Sequence, residues 1–145
     1  NTNILSIEKV QVLDRHKHTA NMIRFGEKFS ITVTYALKMQ YSGIVGGIAL
    51  YDNQNIYVCG LNTKLDNVSL PEEPNIYTLT LSYDNVSLMP GTYHIDVGFF
   101  ESSGLVRLDY IRRLSSFTIT SSEYFAEGLT YIDHCWSCEE NKDEV

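Results

Sequence analysis

The sequence predicts an all-β fold, an antiparallel Greek-key β-sandwich of about eight strands. Three observations carry the prediction. Apolar and polar residues alternate through most of the chain, the pattern of strands with one face in a core. Clusters of Gly, Pro, Asn, Asp and Ser break that alternation at intervals of roughly 10 to 15 positions, the spacing of strands joined by turns. Helical periodicity is almost absent. With 145 residues, 43% of them apolar and 20% charged, the chain has the size of one domain and buries roughly two thirds of its unfolded surface.

Residues 4–13 read as the first strand. The clearest strand follows, with Phe29, Ile31, Val33, Tyr35 and Leu37 facing a core and Ser30, Thr32, Thr34, Ala36 and Lys38 facing solvent. Residues 44–51 form the next, rich in small and branched side chains, and the polar run Asp52, Asn53, Gln54 and Asn55 makes a hairpin loop into a strand at 56–61. Gly46 and Gly47 lie mid-strand, where glycine marks close backbone approach or room for a ligand. A loop with Pro71 and Pro74 leads to Tyr77, Leu79, Leu81 and Tyr83, alternating with Thr78, Thr80 and Ser82.

A turn at Pro90 and Gly91 precedes Tyr93, Ile95, Val97 and Phe99 on one face, with His94, Asp96, Gly98 and Phe100 on the other. Tyr93 is placed for a tyrosine corner, a ring at a strand start whose hydroxyl bonds back to nearby backbone. Beyond Ser102, Ser103 and Gly104, residues 105–120 form a long strand whose alternation breaks near Arg112 and Arg113, predicting a loop or bulge there. Residues 129–136 read as the last strand. The sandwich then spans 1–137, and residues 138–145 form an acidic polar tail with Glu139, Glu140, Asp143 and Glu144.

The formal charge of −7 and the scattered basic residues oppose nucleic-acid binding, since Arg112 and Arg113 alone make no electrostatic footprint. No apolar run approaches the ~18 residues that span a bilayer, and the N-terminus lacks a basic segment followed by an apolar one, so a soluble domain is expected. The sequence starts at Asn1 without Met, which reads as a domain excised from a longer chain. Three cysteines, Cys59, Cys135 and Cys138, are too few for a disulfide framework and read as reduced cytosolic thiols.

Motifs for chemistry are scarce. No glycine-rich loop with Lys and Ser or Thr cradles a phosphate, and no GxSxG elbow presents a nucleophile. His16 with His18, and Asp133 with His134, Cys135 and Cys138, fall short of a zinc set, so neither metal nor cofactor is expected. His94 and Asp96 share a strand face but lack any further acid or base partner, and catalysis is not expected. An aromatic and polar sheet face remains, suited to sugars, whose C–H faces pack on rings and whose hydroxyls pair with polar groups. Of the ten tyrosines, Tyr35, Tyr77, Tyr83 and Tyr93 fall on inward phases, whereas Tyr51, Tyr57 and Tyr110, with Phe100, lie outward or on loops.

Taken in order, Phe25 to Phe29, Gly47 to Asp52, Cys59 to Thr63, Leu88 to Tyr93, Phe117 to Ile119 and a closing Gly128 to Trp136 resemble the Wzt C-terminal domain. The resemblance covers nearly the whole chain. It implies an immunoglobulin-like sandwich that follows the nucleotide-binding subunit of an ABC transporter and recognises the non-reducing end of O-antigen polysaccharide before export. It further implies a cytoplasmic location against the bacterial inner membrane, with ATP hydrolysis and the contact to the membrane subunit residing outside this chain.

Under that resemblance, segments 43–51, 56–61, 92–101 and 105–120 form the sheet whose outward face holds the glycan. His94, Asp96 and Phe100 are the first-choice contacts, bordered by Tyr57, Tyr51, Tyr110 and Arg112. The family also implies a homodimer made by exchanging the last strand, with Leu129, Tyr131, Ile132 and Trp136 at the interface and Cys135 and Cys138 nearby. The competing readings are an immunoglobulin- or fibronectin-like protein-interaction or adhesion module, and a minor hydrolase.

Overall fold

A computed structural model describes residues 1–141, so Asp143 and Glu144 of the acidic tail lie outside the described residues. It contains eight strands: β1 (Leu5–Leu13), β2 (Met22–Arg24), β3 (Phe29–Leu37), β4 (Val45–Asp52), β5 (Tyr57–Asn62), β6 (Asn75–Tyr83), β7 (Gly91–Phe100) and β8 (Arg107–Thr120). They form a three-stranded sheet in the order β1-β3-β6 and a five-stranded sheet in the order β2-β8-β7-β4-β5. The all-β immunoglobulin-like sandwich is as expected.

The alternation seen in the sequence sets the two inner faces. In β3, Phe29, Ile31, Val33, Tyr35 and Leu37 are buried, and Ser30, Thr32, Thr34 and Ala36 are only partly so. The facing sheet supplies Ile48, Leu50, Tyr93, Ile95, Val97, Phe99, Phe117 and Ile119. Rings from the two sheets meet across the core: Tyr35 and Phe99 centroids lie 4.4 Å apart, and Phe29 and Phe117 5.0 Å apart. Burial of such side chains, roughly 1.5–3 kcal/mol each, is the main term holding the sheets together.

Tyr93 makes the expected corner: its hydroxyl donates to the Met89 carbonyl at 2.6 Å inside the protein. The two strand glycines divide by face. Gly46 points inward, where a Cβ would stand 2.9 Å from Leu79 Cδ2 and 3.1 Å from Phe99 Cε1. Gly47 points outward, and a Cβ there meets Asn62 Cβ at an ordinary 3.6 Å.

Three strand assignments differ from the sequence reading. Strand β2 was not expected: it is three residues long, lies parallel to β8, and buries only Ile23, so no alternation could announce it. Among the described residues, 129–136 form no ladder; an isolated bridge joins Thr130 to Leu88. The described part of the tail, 138–141, is exposed and without secondary structure. The long strand also starts later than residue 105, because Leu105 and Val106 lie exposed in the turn before Arg107.

The glycine pair provides a test of the core. Gly46→Ala is expected to lose about 1–3 kcal/mol of unfolding free energy through overpacking. Gly47→Ala should stay within about 0.5 kcal/mol of the parent or gain slightly, because its methyl finds space. Urea unfolding of both variants measures the contrast.

Candidate functional site

The outer face of the five-stranded sheet is built from residues that alternate with the core positions of β4, β5, β7 and β8. Register fixes their rows. Tyr110, Gly98, Gly47 and Asn62 form one row across the four strands; Asp96, Ala49 and Gly60 form the next; His94, Tyr51 and Tyr57 form the third. Gly47 and Ala49 carry a hydrogen or a methyl in place of a longer side chain, while Gly98 and Gly60 lie beneath neighbouring rings, so the middle of the sheet is lowered into a groove of about 550 Å³. The groove is lined by rings at two sides: Tyr51 and Tyr57, stacked at 5.1 Å, and Phe100 and Tyr110, edge-on at 6.1 Å.

The floor glycines are required by the rings. A Cβ on Gly98 would collide with the Tyr110 ring and come within 2.9 Å of Phe100 Cε2, and one on Gly60 would collide with Tyr57. Both rings therefore lie over the sheet instead of standing away from it. Lys64, Leu65, Ser103 and Gly104, from the loops after β5 and β7, line the end of the groove.

Asp96 organises the β8 side. Between the pairs Ile95–Ser115 and Val97–Ile111, β7 has the single residue Asp96 and β8 has residues 112–114, which is the bulge expected near Arg112 and Arg113. Asp96 is 4% exposed. Its Oδ2 accepts the Tyr110 hydroxyl at 2.8 Å and its Oδ1 accepts the Arg113 amide at 2.8 Å. Arg113 has φ of 50°, a conformation costly for a residue with a side chain, and the carboxylate meets the amide that this turn leaves without a ladder partner. Burial and then the bond to Asp96 push the Tyr110 hydroxyl up to about 12.

The residues expected from sequence separate accordingly. Tyr51, Tyr57, Phe100 and Tyr110 meet around one groove. Asp96 lies at its floor but is not the solvent-facing contact expected, because the ring of Tyr110 and the bulge cover it and take both oxygens. His94 lies beside Tyr51 and outside the groove lining, with its Nε2 2.8 Å from Asn53 Oδ1. Arg112 is exposed in the bulge and does not line the groove. Sequence reasoning missed the lining residues Ala49, Gly60, Gly98, Asn62 and Lys64, and also Arg107, which is outside the lining with its guanidinium 4.2 Å over the Tyr110 ring. Small residues at outward phases, next to outward aromatics, were the available signal.

Residues 129–136 are only half attached. The Met89 amide donates to the Leu129 carbonyl and the Tyr131 amide to the Ser87 carbonyl, and the Tyr131 ring packs against Phe25, Phe125 and His134. Leu129, Ile132 and Trp136 are exposed, Trp136 at 91%, as are Cys135 and Cys138. Among the described residues no three His, Cys, Asp or Glu side chains are grouped to hold a metal ion.

An eight-stranded, two-sheet sandwich with a ring-lined groove on one outer face defines the class: an immunoglobulin-like β-sandwich. The profile of the Wzt C-terminal domain matches residues 1–132. The chain belongs to that family, a carbohydrate-binding domain of an ABC transporter subunit.

The crystal structure of the C-terminal domain of Wzt superimposes with a TM-score of 0.81 at 14% identity, over 94% of this chain and 84% of that one. A β-glucosidase from Listeria innocua in complex with gluconolactone gives 0.46 at 15% identity, over 81% of this chain and 16% of that one. A CARDB domain from Pyrococcus furiosus in complex with di-metal ions gives 0.42 at 13% identity, over 81% and 88%. No curated protein sequence matches the chain.

The Asp96 tie is open to measurement. Asp96→Ala leaves the Arg113 amide and the Tyr110 hydroxyl without an acceptor and is expected to cost about 2–4 kcal/mol in urea unfolding, with Asp96→Asn recovering part of it. Because the folded-state value of Tyr110 lies above the ordinary 10, its contribution is fully present below pH 10 and is lost as pH rises through about 12. The difference in tyrosinate absorbance between the parent and Tyr110→Phe should therefore titrate near pH 12; a difference titrating near 10 would contradict the tie.

Proposed function

We propose that this domain is non-catalytic and binds the non-reducing terminus of an O-antigen polysaccharide in the groove between the Tyr51–Tyr57 and Phe100–Tyr110 rings, giving substrate specificity to an ABC exporter. The groove itself carries the reading. Its floor of Gly47 and Ala49 lets a pyranose ring approach sheet level, and the flanking rings offer faces for its C–H bonds. The volume falls in the range of small-ligand sites, about 300–1,000 Å³.

Two features favour a chain end held without hydrolysis. Lys64 Nζ donates to the Ser102 carbonyl at 3.0 Å, so the loops after β5 and β7 are tied together at one end of the groove. Asp96, the one carboxylate in the lining, has both oxygens engaged and is a poor general acid or base. Asp96 acts here through Tyr110 and the bulge, and His94 and Arg112 stand at the periphery.

The wider assembly follows the family. The domain works as a homodimer in which residues 129–136 add an edge strand to the partner. The bonds at Leu129 and Tyr131 hold the start of that segment to its own body, leaving Ile132 and Trp136 to reach across. It sits in the cytoplasm against the bacterial inner membrane, attached through the ATPase domain to the membrane subunit. Among the described residues no helix is long and apolar enough to cross a membrane.

Calorimetric titration with the complete polysaccharide of the source strain, and with a form lacking its terminal unit, tests the reading. Saturable binding of the complete form alone is expected, weakened roughly tenfold, about 1.4 kcal/mol, by Tyr57→Ala or Tyr110→Ala. Absence of binding by the folded domain would reject the glycan reading in favour of a protein-interaction module.

A further inference from the structure

The Tyr51–Tyr57 wall stands at a weakly supported corner of the five-stranded sheet. Strand β5 is an edge strand, and its pairing with β4 shifts register between Leu50 and Tyr51, so the ladder is broken just before the two rings. Beyond them the β4–β5 loop is a unit of its own: Asp52 Oδ1 accepts the Gln54 and Ile56 amides, each at 2.9 Å, and the Asp52 carbonyl accepts the Asn55 amide at 3.1 Å. Such a tip swings as a body about its two tyrosines unless something outside the hairpin holds it.

Two side chains from the neighbouring strands do so. His94 Nε2, on β7, lies 2.8 Å from Asn53 Oδ1, and Arg113 Nη2, from the β8 bulge, donates to Asn55 Oδ1 at 3.3 Å. Arg113 and Asn55 both have left-handed backbone, with φ of 50° and 63°. Asn tolerates that conformation, whereas Arg is disfavoured in it, and glycine would relieve the strain without losing the backbone amide. Backbone strain carried by an arginine points to a use for its side chain. The ion pairs of the described residues, Arg15–Glu27 and Lys28–Asp84, do not involve Arg113, so a carboxylate partner does not account for it.

We propose that Arg113 is a positioning residue that couples the two ring walls of the groove. Its amide, received by Asp96 Oδ1, shares that carboxylate with the Tyr110 hydroxyl, and its guanidinium holds the loop between Tyr51 and Tyr57. The spacing of the Tyr51–Tyr57 pair from the Phe100–Tyr110 pair is thereby set before a ligand arrives, and a preformed groove loses less freedom on binding. The proposal rests on the glycan reading above and deepens it, by assigning part of the affinity to a residue outside the groove lining.

Amide hydrogen exchange tests the coupling without a ligand. Arg113→Gly and Arg113→Asn both suit a left-handed backbone, and neither side chain is long enough to reach residue 55. Each should speed exchange of the Ile56 amide severalfold and leave that of Val33, at the centre of β3, unchanged. Titration with the complete polysaccharide of the source strain reads the consequence: both variants should lower affinity about fivefold, although urea unfolding finds them as stable as the parent or more so. Asn55→Gly should give the same loss, and combining it with Arg113→Gly no further loss. Unchanged Ile56 exchange overturns the coupling; faster exchange with unchanged affinity, or losses that multiply in the double variant, overturns its part in binding. No binding by the folded parent rejects the glycan reading and with it the claim on affinity, while the exchange result still decides the coupling.

Discussion

Asp96 stands where one residue of β7 faces three of β8, and its two oxygens close the mismatch by accepting one side-chain hydroxyl and one backbone amide. A buried carboxylate without partners would be strongly destabilising. Here the partners are a turn that would otherwise leave an amide unpaired and a phenol that would otherwise swing free. The bulge places Arg113 toward the β4–β5 loop, where its Nη2 meets Asn55 Oδ1 at 3.3 Å, and Tyr110 is laid across Gly98 to form one wall of the groove. The shape of the outer face follows from that single arrangement.

The sheet bears two opposed demands. Glycine within a strand weakens it, because it adds no cross-strand contact and loses more freedom on folding. Gly98 sits between Val97 and Phe99, both fully buried on the other face, and Gly47 precedes Ile48, which is 4% exposed. Strong inner contacts thus hold strands whose outer face has been stripped of bulk. The hydrophobic core and the groove are two sides of the same alternation, and the same backbone ladder supports both.

Much of the fold was legible because its signals are local. The period-two pattern of residues 29–37 and 77–83, the Pro90 and Gly91 turn with its tyrosine corner, and the broken alternation at Arg112 and Arg113 each announce themselves within a few residues. Strand β2 is hidden by its brevity, with only Ile23 inward. Residues 129–136 look like a strand in composition but, among the described residues, pair only through the bridge to Leu88.

The groove was partly legible through its rings, all four of which sit at outward phases. Its floor was harder to see, since absent side chains leave no motif. Asp96 misled for a physical reason: an outward carboxylate reads as solvated, and what buries it is a tyrosine 14 residues away together with a bulge whose direction no local pattern reveals.

The central claim is that the outer face of the five-stranded sheet, and not the outer face of the three-stranded one, is the recognition surface. Amide chemical-shift mapping of the isotopically labelled domain, with its exported polysaccharide added stepwise, addresses it directly. The account predicts shifts concentrated on Gly47, Ala49, Tyr51, Tyr57, Gly98, Phe100 and Tyr110, with Thr32, Thr34, Thr78 and Thr80 unmoved. Shifts confined to those threonines, or to residues 121–136, would contradict it.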